Sequence, residues 1–510
     1  MITVMKYSII KKIKTVVQKN QGFDVIIVVA SIGNKEYWER RLEASKNEIL
    51  SPKTQIIIIE EDWPGGAGQL LGTLYAWKSA NEILNLKELL EKEGKVAIYH
   101  AAGYGKRMAP LCGTEVNNKP GVKLPKIIKI GDRETLLRVL EAAIFSTQIF
   151  AKSRKGRICV FWGDQVFLPF RTPKLETKLP VEIFGIEKGL SLSKKDWQRD
   201  WQQYGVLIPT KKRGILMREK ISWQKFQRFL EKGYLQKDQE EKVTLFKSLG
   251  CFSISLPFLE TLFEEFFKEI ELRRRNLSTD FHLWVPLTSR KREYQTEGGS
   301  GIYWERIKKI RRNFFQKTGK KRIIGEKNLG EKTFWWDYGN LKIYFINLLK
   351  LIKKTDEGEA AREFFEAEKY LIKRRFAKGL KIKNSILINS EIGGGKIENV
   401  ILVDSKILWA KIKNGVIIST QAKGVFTQRG KLVRNILLYN VKEETNVKTL
   451  PAEVVTDIIP GEGTKIRMRT SLLRDGRRDW QVRLPKNIFA YSEIERLLAR
   501  IANATIRFRT

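Results

Sequence analysis

The chain is poor in the residues that most often carry redox, zinc and acid–base chemistry: its 510 residues include three cysteines and two histidines. The cysteines stand far apart, which fits a reducing compartment and gives no metal-binding spacing. His100 and His282 have no partner at ligand spacing, so nothing in the sequence supports a zinc site or a histidine-based mechanism. An arrangement typical of serine or cysteine nucleophiles is missing as well.

Long apolar runs are also missing, and none approaches the roughly 18 residues that predict a transmembrane helix. The first 19 residues are basic and partly apolar, but lysines interrupt them and no small-residue cleavage site follows. They predict an amphipathic helix rather than a signal peptide. We therefore expect a cytoplasmic protein with no transmembrane segment, and the length predicts two to four domains.

Acidic residues are scarce relative to basic ones: 57 Asp and Glu stand against 96 Lys and Arg, a formal net charge of +39. A small anionic substrate needs only a few cations, so this surplus calls for a further explanation. Contact with nucleic acid or with an anionic membrane is one, and Arg273–Arg275 and Lys308–Arg322 are the best candidate segments. A generally basic host proteome is another explanation of the charge, and a solvated basic loop is the alternative reading of these two segments.

The most informative segment is Val96–Leu111, in which an apolar run leads into Gly103 and Gly105 and then into two cations, Lys106 and Arg107. Glycines after a strand expose backbone N–H groups and allow close approach of a ligand, and the cations add charge for a polyphosphate. This pattern predicts a cradle for a triphosphate. Gly65–Gly72 is a second glycine-rich loop, and the sequence leaves open which of the two holds the phosphates.

Strands alternate with helices over the first half of the chain, which predicts a doubly wound, mostly parallel sheet. Asp164 follows an apolar strand, and Asp337 follows the apolar run Phe334–Trp336. Both carboxylates are expected at the carboxyl ends of strands, where such sheets bind ligands. The predicted strands are Phe23–Ser31, Thr54–Glu61, one at Val96 and one at Arg157, and the predicted helices include Lys35–Ala44 and Arg133–Phe150.

The order of these motifs resembles that of the sugar-1-phosphate nucleotidyltransferases: a glycine–arginine loop, the Lys-Pro segment Asn117–Lys126, Gly163-Asp164, and then Asp337 within FWWDYG. The additional glycine-rich loop upstream gives a looser likeness to the fucose-1-phosphate guanylyltransferase branch. The resemblance implies a GT-A-like fold. It also implies a Mg²⁺-dependent enzyme that joins a nucleoside triphosphate to a sugar 1-phosphate and releases pyrophosphate.

The resemblance also implies roles for individual residues. Asp164 and Asp337 would hold Mg²⁺, which prefers oxygen ligands, and Arg107 would bind the leaving pyrophosphate. One of Lys119, Lys123 and Lys126 would neutralise the α-phosphate, and we favour Lys123, so the expected catalytic residues are Arg107, Lys123 and Asp164. The expected nucleotide contacts are Ala101, Ala102, Gly103, Gly105, Lys106, Lys119 and Gly163, and the expected sugar-phosphate contacts are Gly205, Glu219, Lys220 and Gly250.

The spacing of apolar residues along the sequence changes after residue 352. We expect a catalytic domain over residues 1–352, with residues 1–95 adding strands to its sheet, then a linker helix over residues 353–379. In residues 380–510, apolar positions recur every five to seven residues between Ile386 and Val416, which favours a parallel β-helix; a small β-sandwich is the alternative. The resemblance implies a left-handed β-helix, which often mediates self-association, and we expect a helix at the C-terminus to cap it.

Two functions of different classes therefore remain open. The first is nucleotidyl transfer to a sugar 1-phosphate, or to a non-sugar phosphate acceptor. The second is a non-catalytic regulator or scaffold of the same fold that binds nucleotide or RNA. The sequence does not identify the base, the sugar or the oligomeric state.

Overall fold

The structure is a computed structural model, and it describes the chain from residue 2 to 507 with gaps. The described residues are 2–169, 172, 179–190, 193–210, 214–231, 243–273, 283–377, 380–388, 391–392, 400–403, 406–407, 410–411, 415–418, 421–422, 425–427, 437–439, 442–443, 447–449, 452–461 and 464–507. Part of one candidate basic segment, Arg273–Arg275, and the histidine His282 lie outside these residues.

Helices are spread over the whole described chain. They are α1 Ile2–Gln18, α2 Lys35–Ala44, α3 Gly68–Ile83, α4 Leu86–Glu91, α5 Val139–Thr147, α6 Lys194–Asp196, α7 Trp223–Glu231, α8 Leu256–Leu272, α9 Trp284–Thr288, α10 Lys291–Thr296, α11 Gly301–Thr318, α12 Leu341–Lys350, α13 Asp356–Phe364 and α14 Tyr491–Arg507. Within this described part, no helix combines the length and the hydropathy that crossing a membrane requires.

Strands fall into an N-terminal and a C-terminal set. The first set is β1 Val25–Ser31, β2 Gln55–Glu61, β3 Lys95–His100, β4 Lys123–Ile130, β5 Arg133–Arg138, β6 Arg157–Trp162, β7 Gln165–Leu168, β8 Val181–Leu190, β9 Gly205–Thr210, β10 Gly214–Glu219, β11 Val243–Ser255, β12 Ile324–Asn328 and β13 Phe334–Asp337. The second is β14 Leu371–Ala377, β15 Leu380–Ile388, β16 Glu391–Ile392, β17 Val400–Val403, β18 Lys406–Ile407, β19 Ala410–Lys411, β20 Gly415–Ile418, β21 Gln421–Ala422, β22 Val425–Thr427, β23 Leu437–Tyr439, β24 Lys442–Glu443, β25 Val447–Thr449, β26 Glu453–Gly461 and β27 Thr464–Ser471.

The central sheet has the order β10-β9-β11-β6-β3-β1-β2, with β8 and β12 attached through β11. Its strands β2, β1, β3 and β6 run parallel, and β11 joins them antiparallel to β6. The chain leaves β1 for β2 on one side and then crosses to β3 and β6 on the other. The predicted mixed α/β architecture with a mostly parallel central sheet is confirmed, and the direction of winding reverses between β1 and β3.

Alternating side chains explain the layers on the two faces of this sheet. Ile26 and Val28 of β1 pack into one core together with α1, α2, α5 and α12. Their neighbours Ile27 and Val29 pack into a second core with α3, α8 and α11. Because a strand points successive side chains to opposite faces, a continuous apolar strand needs helices on both.

Two sequence predictions about local structure were wrong. The helix expected over Arg133–Phe150 begins only at Val139, because the preceding residues form β5 and pair antiparallel with β4. The linker expected to be helical over residues 353–379 contains a nine-residue helix, α13, and then the strand β14, which pairs antiparallel with β15. Strand pairing across the sequence overrode helical periodicity in both places.

The short strands of the C-terminal region pair mainly in parallel. Strands β15, β17, β20, β23 and β26 form one row, β16, β18, β21 and β24 a second, and β19, β22 and β25 a third. Each pair within these rows is parallel, whereas β14–β15 and β26–β27 at the two ends of the first row are antiparallel.

The last helix packs against the N-terminal half of the chain. Ile494 and Leu498 of α14 share a small core with Ala109 and Cys112, which follow the glycine loop, and with Ile458 of β26. The C-terminal helix therefore contacts the segment that carries the candidate phosphate loop.

Candidate functional site

Four parallel strands, β2, β1, β3 and β6, end at one edge of the central sheet. Where the winding reverses, the hydroxyl of Ser31, the last residue of β1, accepts a hydrogen bond at 3.0 Å from the N–H of Gly103, which follows β3. Gly163, after β6, donates its N–H to the His100 carbonyl at 2.9 Å. Open α/β sheets bind ligands at this kind of edge.

The glycine loop after β3 has the conformation that its residues predict. Gly103 and Gly105 have φ angles of 115° and 63°, which favour glycine, and Gly103 is exposed. Ala101 is buried and Ala102 is half-buried at the end of the strand. A Cβ at Gly105 would lie 2.9 Å from the Cβ of Lys119, so close packing places the loop directly against this lysine.

The second glycine-rich loop, between β2 and α3, already contains an anionic side chain. Glu61 accepts a hydrogen bond from the Ala67 N–H at 3.0 Å, and its carboxylate lies beside Gly66 and Gly72. A carboxylate at the N-terminus of a helix satisfies the N–H groups that a phosphate would otherwise bind. Of the two candidate loops, the geometry therefore favours Gly103–Arg107.

Asp164 and Asp337 converge although 172 positions separate them in the sequence. Strands β7 and β13 pair antiparallel, with Asp337 opposite Gln165, and the Tyr338 N–H donates to the Asp164 carbonyl at 2.8 Å. Both carboxylates face Gly339. A Cβ at this glycine would meet an Asp164 oxygen and would lie 3.0 Å from Asp337 Oδ1 and 3.3 Å from Arg107 Nη2. The structure thus brings together two carboxylates and the guanidinium of the phosphate loop.

The negative charge of the Asp337 carboxylate is only partly compensated by its neighbours. Burial raises the pKa of Asp337, and the neighbouring Asp164 charge raises it further, while the Gly339 N–H and the cations Arg107 and Lys119 lower it. The carboxylate accepts a hydrogen bond from Gly339 at 2.7 Å, and among the described residues it has no ion pair. A divalent cation between the two carboxylates would relieve their repulsion.

The three candidate lysines have different partners. The ammonium group of Lys119 forms an ion pair with Asp164. Lys123, which the sequence analysis favoured, lies instead 3.5 Å from Glu115, and Lys126 lies 3.0 Å from Glu366. The geometry therefore favours Lys119 over Lys123, because packing against the glycine loop directs the Lys119 side chain to the carboxylates.

A cavity of about 700 Å³ opens beside the carboxylates. The cations Arg107, Lys220 and Arg477 line it together with Asp337, which gives three cationic side chains to one carboxylate. The other lining residues are Gln198, Gln202, Gln203, Tyr204, Asn340 and Ile343. This volume and charge suit a small, highly anionic ligand.

The remaining predicted sugar-phosphate residues are not among those that line the cavity. Glu219 is half-buried, and one of its carboxylate oxygens covers Gly205, its partner on the neighbouring strand. Burial raises the pKa of Glu219 to about 7, and only Lys220 acts in the other direction. Gly250 lies against Trp162 and accepts a hydrogen bond from the Gln69 side chain at 2.7 Å.

Sequence reasoning missed the contribution of the C-terminal segment. The ammonium group of Lys106, a predicted nucleotide contact, lies 5.3 Å from the ring centroids of both Tyr104 and Trp480. This cation–π arrangement directs Lys106 to aromatic rings and not to the carboxylates. Arg477 reaches the cavity from the same segment and bonds to Asp475 at 2.8 Å. The sequence DGRRDW around it carries no recognisable motif.

The residues present fit Mg²⁺. Two buried or half-buried carboxylates meet beside a cavity, and Mg²⁺ is usually bound by one or two protein carboxylates, with waters and substrate phosphates completing its coordination. A group of three or more His, Cys, Asp or Glu side chains at metal-binding distance does not occur in the described part of the chain. The site therefore suits a cation that arrives with its substrate better than a tightly held structural metal.

Comparison of the chain with protein-family models gives no match, and comparison with curated protein sequences gives none either.

Proposed function

We propose that this protein is a nucleotidyltransferase that joins a nucleoside triphosphate to a sugar 1-phosphate and releases pyrophosphate. The observation that supports this most strongly is the convergence of Asp164, Asp337 and Arg107 around Gly339, at the opening of a cavity that also contains Lys220. The reaction needs carboxylates for a metal ion and cations for two anionic substrates, and these groups occur here together.

In this proposal the triphosphate lies along the Gly103–Arg107 loop. The reacting oxygen of the sugar phosphate forms a bond to the α-phosphorus while the bond to the bridging oxygen of pyrophosphate breaks, and the electron pair leaves with pyrophosphate. Arg107 holds the leaving pyrophosphate, and Lys119 neutralises charge on the α-phosphate. Bound between Asp164 and Asp337, Mg²⁺ would stabilise the charge that develops on the phosphate oxygens.

Lys220 and Arg477 are the cations left for the sugar phosphate, because both line the cavity on the side of β10 and the C-terminal segment. Glu219, next to Lys220, would accept a hydrogen bond from a sugar hydroxyl. The intact pair of carboxylates favours an enzyme over a non-catalytic nucleotide-binding scaffold, since a scaffold has no need of a metal between them.

The proposal includes a GT-A-like catalytic part and a left-handed parallel β-helix in the C-terminal region. Its support is the pairing pattern, in which Ile386 pairs with Ile401 and Val400 with Gly415, fifteen residues further on each time. In a parallel β-helix, each turn of the chain adds one strand to each sheet, and the strands of successive turns pair in parallel. Self-association through such a coil, and a reducing cytoplasmic setting for the three separate, buried cysteines, belong to the same proposal.

The proposal is tested by measuring pyrophosphate release from a panel of nucleoside triphosphates and sugar 1-phosphates in the presence of Mg²⁺. We expect one pair to turn over, and Asp164→Asn to reduce kcat by about a hundredfold or more. Asp132→Asn is the matched control, because Asp132 is exposed in the turn after β4 and should leave turnover unchanged. Lack of turnover with the whole panel, or equal loss in both variants, would contradict the proposal.

A further inference from the structure

One face of α11 carries several of the basic residues of the chain. Trp304, Lys308, Arg311 and Phe315 recur at intervals of four, three and four residues, so they follow one line along the helix, and Arg312 lies beside it. The neighbouring face, about 100° further around the helix, is apolar and buried in the core, with Tyr303, Ile307, Ile310 and Phe314. This helix therefore has one structural face and one face with alternating aromatic and cationic side chains.

The exposed face lines two adjoining concavities of about 430 and 950 Å³. Both include Trp304, Arg311 and Lys321, so they form one continuous groove, here called the α11 groove. Its cationic lining comprises Arg290, Lys291, Lys308, Arg311, Arg312, Lys321 and Arg322, whereas Glu326 is the acidic residue in the lining.

The cations of the α11 groove differ from those elsewhere on the same helix. Arg306, Lys309 and Lys317 each form ion pairs with glutamates of α8. In contrast, Lys308, Arg311, Arg312, Lys321 and Arg322 form no ion pair with any carboxylate among the described residues; the Arg311 guanidinium donates to the Leu287 carbonyl at 3.1 Å. Glu305 attracts Lys308 and Arg312 but is itself bonded to Lys291.

Aromatic rings within the α11 groove are partly open to solvent. Phe315 is 41 % exposed and Trp304 is half-buried, with its indole N–H bonded to the Ser289 carbonyl at 3.1 Å. Lysines lie over both rings: Lys308 Nζ is 5.7 Å from the Trp304 centroid, and Lys321 Nζ is 6.0 Å from the Phe315 centroid. Aromatic rings that alternate with unpaired cations in a groove are the elements that bind bases and phosphates of an unpaired strand.

From this arrangement we propose that the α11 groove binds single-stranded nucleic acid, with phosphates on its lysines and arginines and bases stacked on its aromatic rings. The proposal does not depend on the nucleotidyltransferase activity, because the groove shares no lining residue with the cavity beside Asp337. It accounts for part of the net charge of +39, which a small anionic substrate leaves unexplained.

The test measures binding of the full chain to a labelled single-stranded RNA of about 15 nucleotides, over about 50 to 200 mM salt. The double variant Lys308→Gln/Lys321→Gln should weaken binding about tenfold and reduce the slope of log affinity against log salt by about 1.4, since each lost phosphate contact accounts for about 0.7. The control Lys309→Gln/Lys317→Gln removes the same charge from the ion-paired face and should change binding by less than about twofold.

The contribution of base stacking is tested with Phe315→Ala, which should weaken RNA binding about fivefold or more. Phe315→Tyr should bind RNA as the parent chain does, because the aromatic ring is kept. Circular dichroism confirms that each variant remains folded. Three results would overturn the proposal. The first is an equal loss of RNA affinity in the two double lysine variants, and the second is tighter binding of duplex RNA than of single-stranded RNA. The third is displacement of the RNA by vesicles that contain anionic lipid, if vesicle binding requires the same lysines of the α11 groove.

Discussion

At the scale of single residues, the proposed catalytic role of each lysine depends on which carboxylate lies beside it. Lys119 is paired with Asp164, whereas Lys123, at the start of β4, lies against Glu115. Charge near the α-phosphate stabilises the transition state only where it is already in position, so the two lysines should differ in their effect on turnover.

The first prediction compares Lys119→Ala with Lys123→Ala. We expect Lys119→Ala to lower kcat by about a hundredfold, since it removes a cation from the reacting phosphate. Lys123→Ala should lower kcat by less than about fivefold. Steady-state pyrophosphate release checks both, and a larger loss for Lys123→Ala would return the catalytic role to the residue that the sequence analysis favoured.

The second prediction concerns the pH dependence of stability and the carboxyl group of Glu219. Burial raises the pKa of Glu219 to about 7. The folded state then holds this proton more tightly than the unfolded state, so Glu219 favours folding at low pH. This contribution is lost as pH rises from about 4.5 to 7, and amounts to about 3 kcal/mol in the free energy of unfolding.

Glu219→Gln tests this contribution, because the amide cannot titrate. Between pH 4.5 and 8 the free energy of unfolding of Glu219→Gln minus that of the parent chain should increase by this amount. A difference independent of pH would show that the carboxyl titrates normally.

At the scale of elements, the strand pair β7–β13 places the candidate metal ligands. The sequence predicted these two aspartates because each follows an apolar run, but the expected position of Asp337 at an end of the parallel sheet was wrong. Strand β13 pairs antiparallel with β7 in a separate two-stranded sheet, and this pairing places Asp337 beside Asp164. The sequence did not predict β5, because Arg133–Arg138 continues a helical pattern and becomes a strand only through pairing with β4. Long-range pairing of this kind leaves little trace in a single sequence.

The third prediction concerns Gly339, two residues after the end of β13. A Cβ there would meet the Asp164 carboxylate and lie against Asp337 and Arg107, so Gly339→Ala should displace the two carboxylates and lower kcat about tenfold or more. Stability should change by about 1 kcal/mol or less, since the clash is with side chains that can shift.

Gly301→Ala is the control for that variant, because a Cβ at Gly301 meets the end of the flexible Gln295 side chain, far along the chain from the carboxylates. Thermal unfolding and turnover measured on both variants separate the two effects. Full activity of Gly339→Ala would mean that the carboxylates do not need their present spacing.

At the scale of the whole molecule, the C-terminal segment completes the site. Trp480 contacts the Lys106 ammonium, Arg477 lines the cavity, and α14 packs on the residues after the glycine loop. The sequence could not predict this, because about 370 residues separate Arg477 from Arg107 and a basic chain contains many similar arginines.

The fourth prediction compares neighbouring arginines of this segment. Arg477→Ala should raise the KM for the sugar phosphate about tenfold, since an arginine in the cavity binds a phosphate directly. Arg478→Ala removes the same charge one position further on, outside the cavity lining, and should leave KM unchanged. If both variants raised KM equally, the effect would come from general charge and not from a contact.

Calorimetric titration decides whether Asp164 and Asp337 share a cation. The four common nucleoside triphosphates are titrated with and without Mg²⁺ into the parent chain and into Asp164→Asn/Asp337→Asn. We expect Mg²⁺ to tighten binding of at least one triphosphate to the parent chain about tenfold or more. The double variant should lose this dependence while it still binds the metal-free triphosphate through Arg107. An unchanged Mg²⁺ dependence in the double variant would contradict the claim that these carboxylates share a cation.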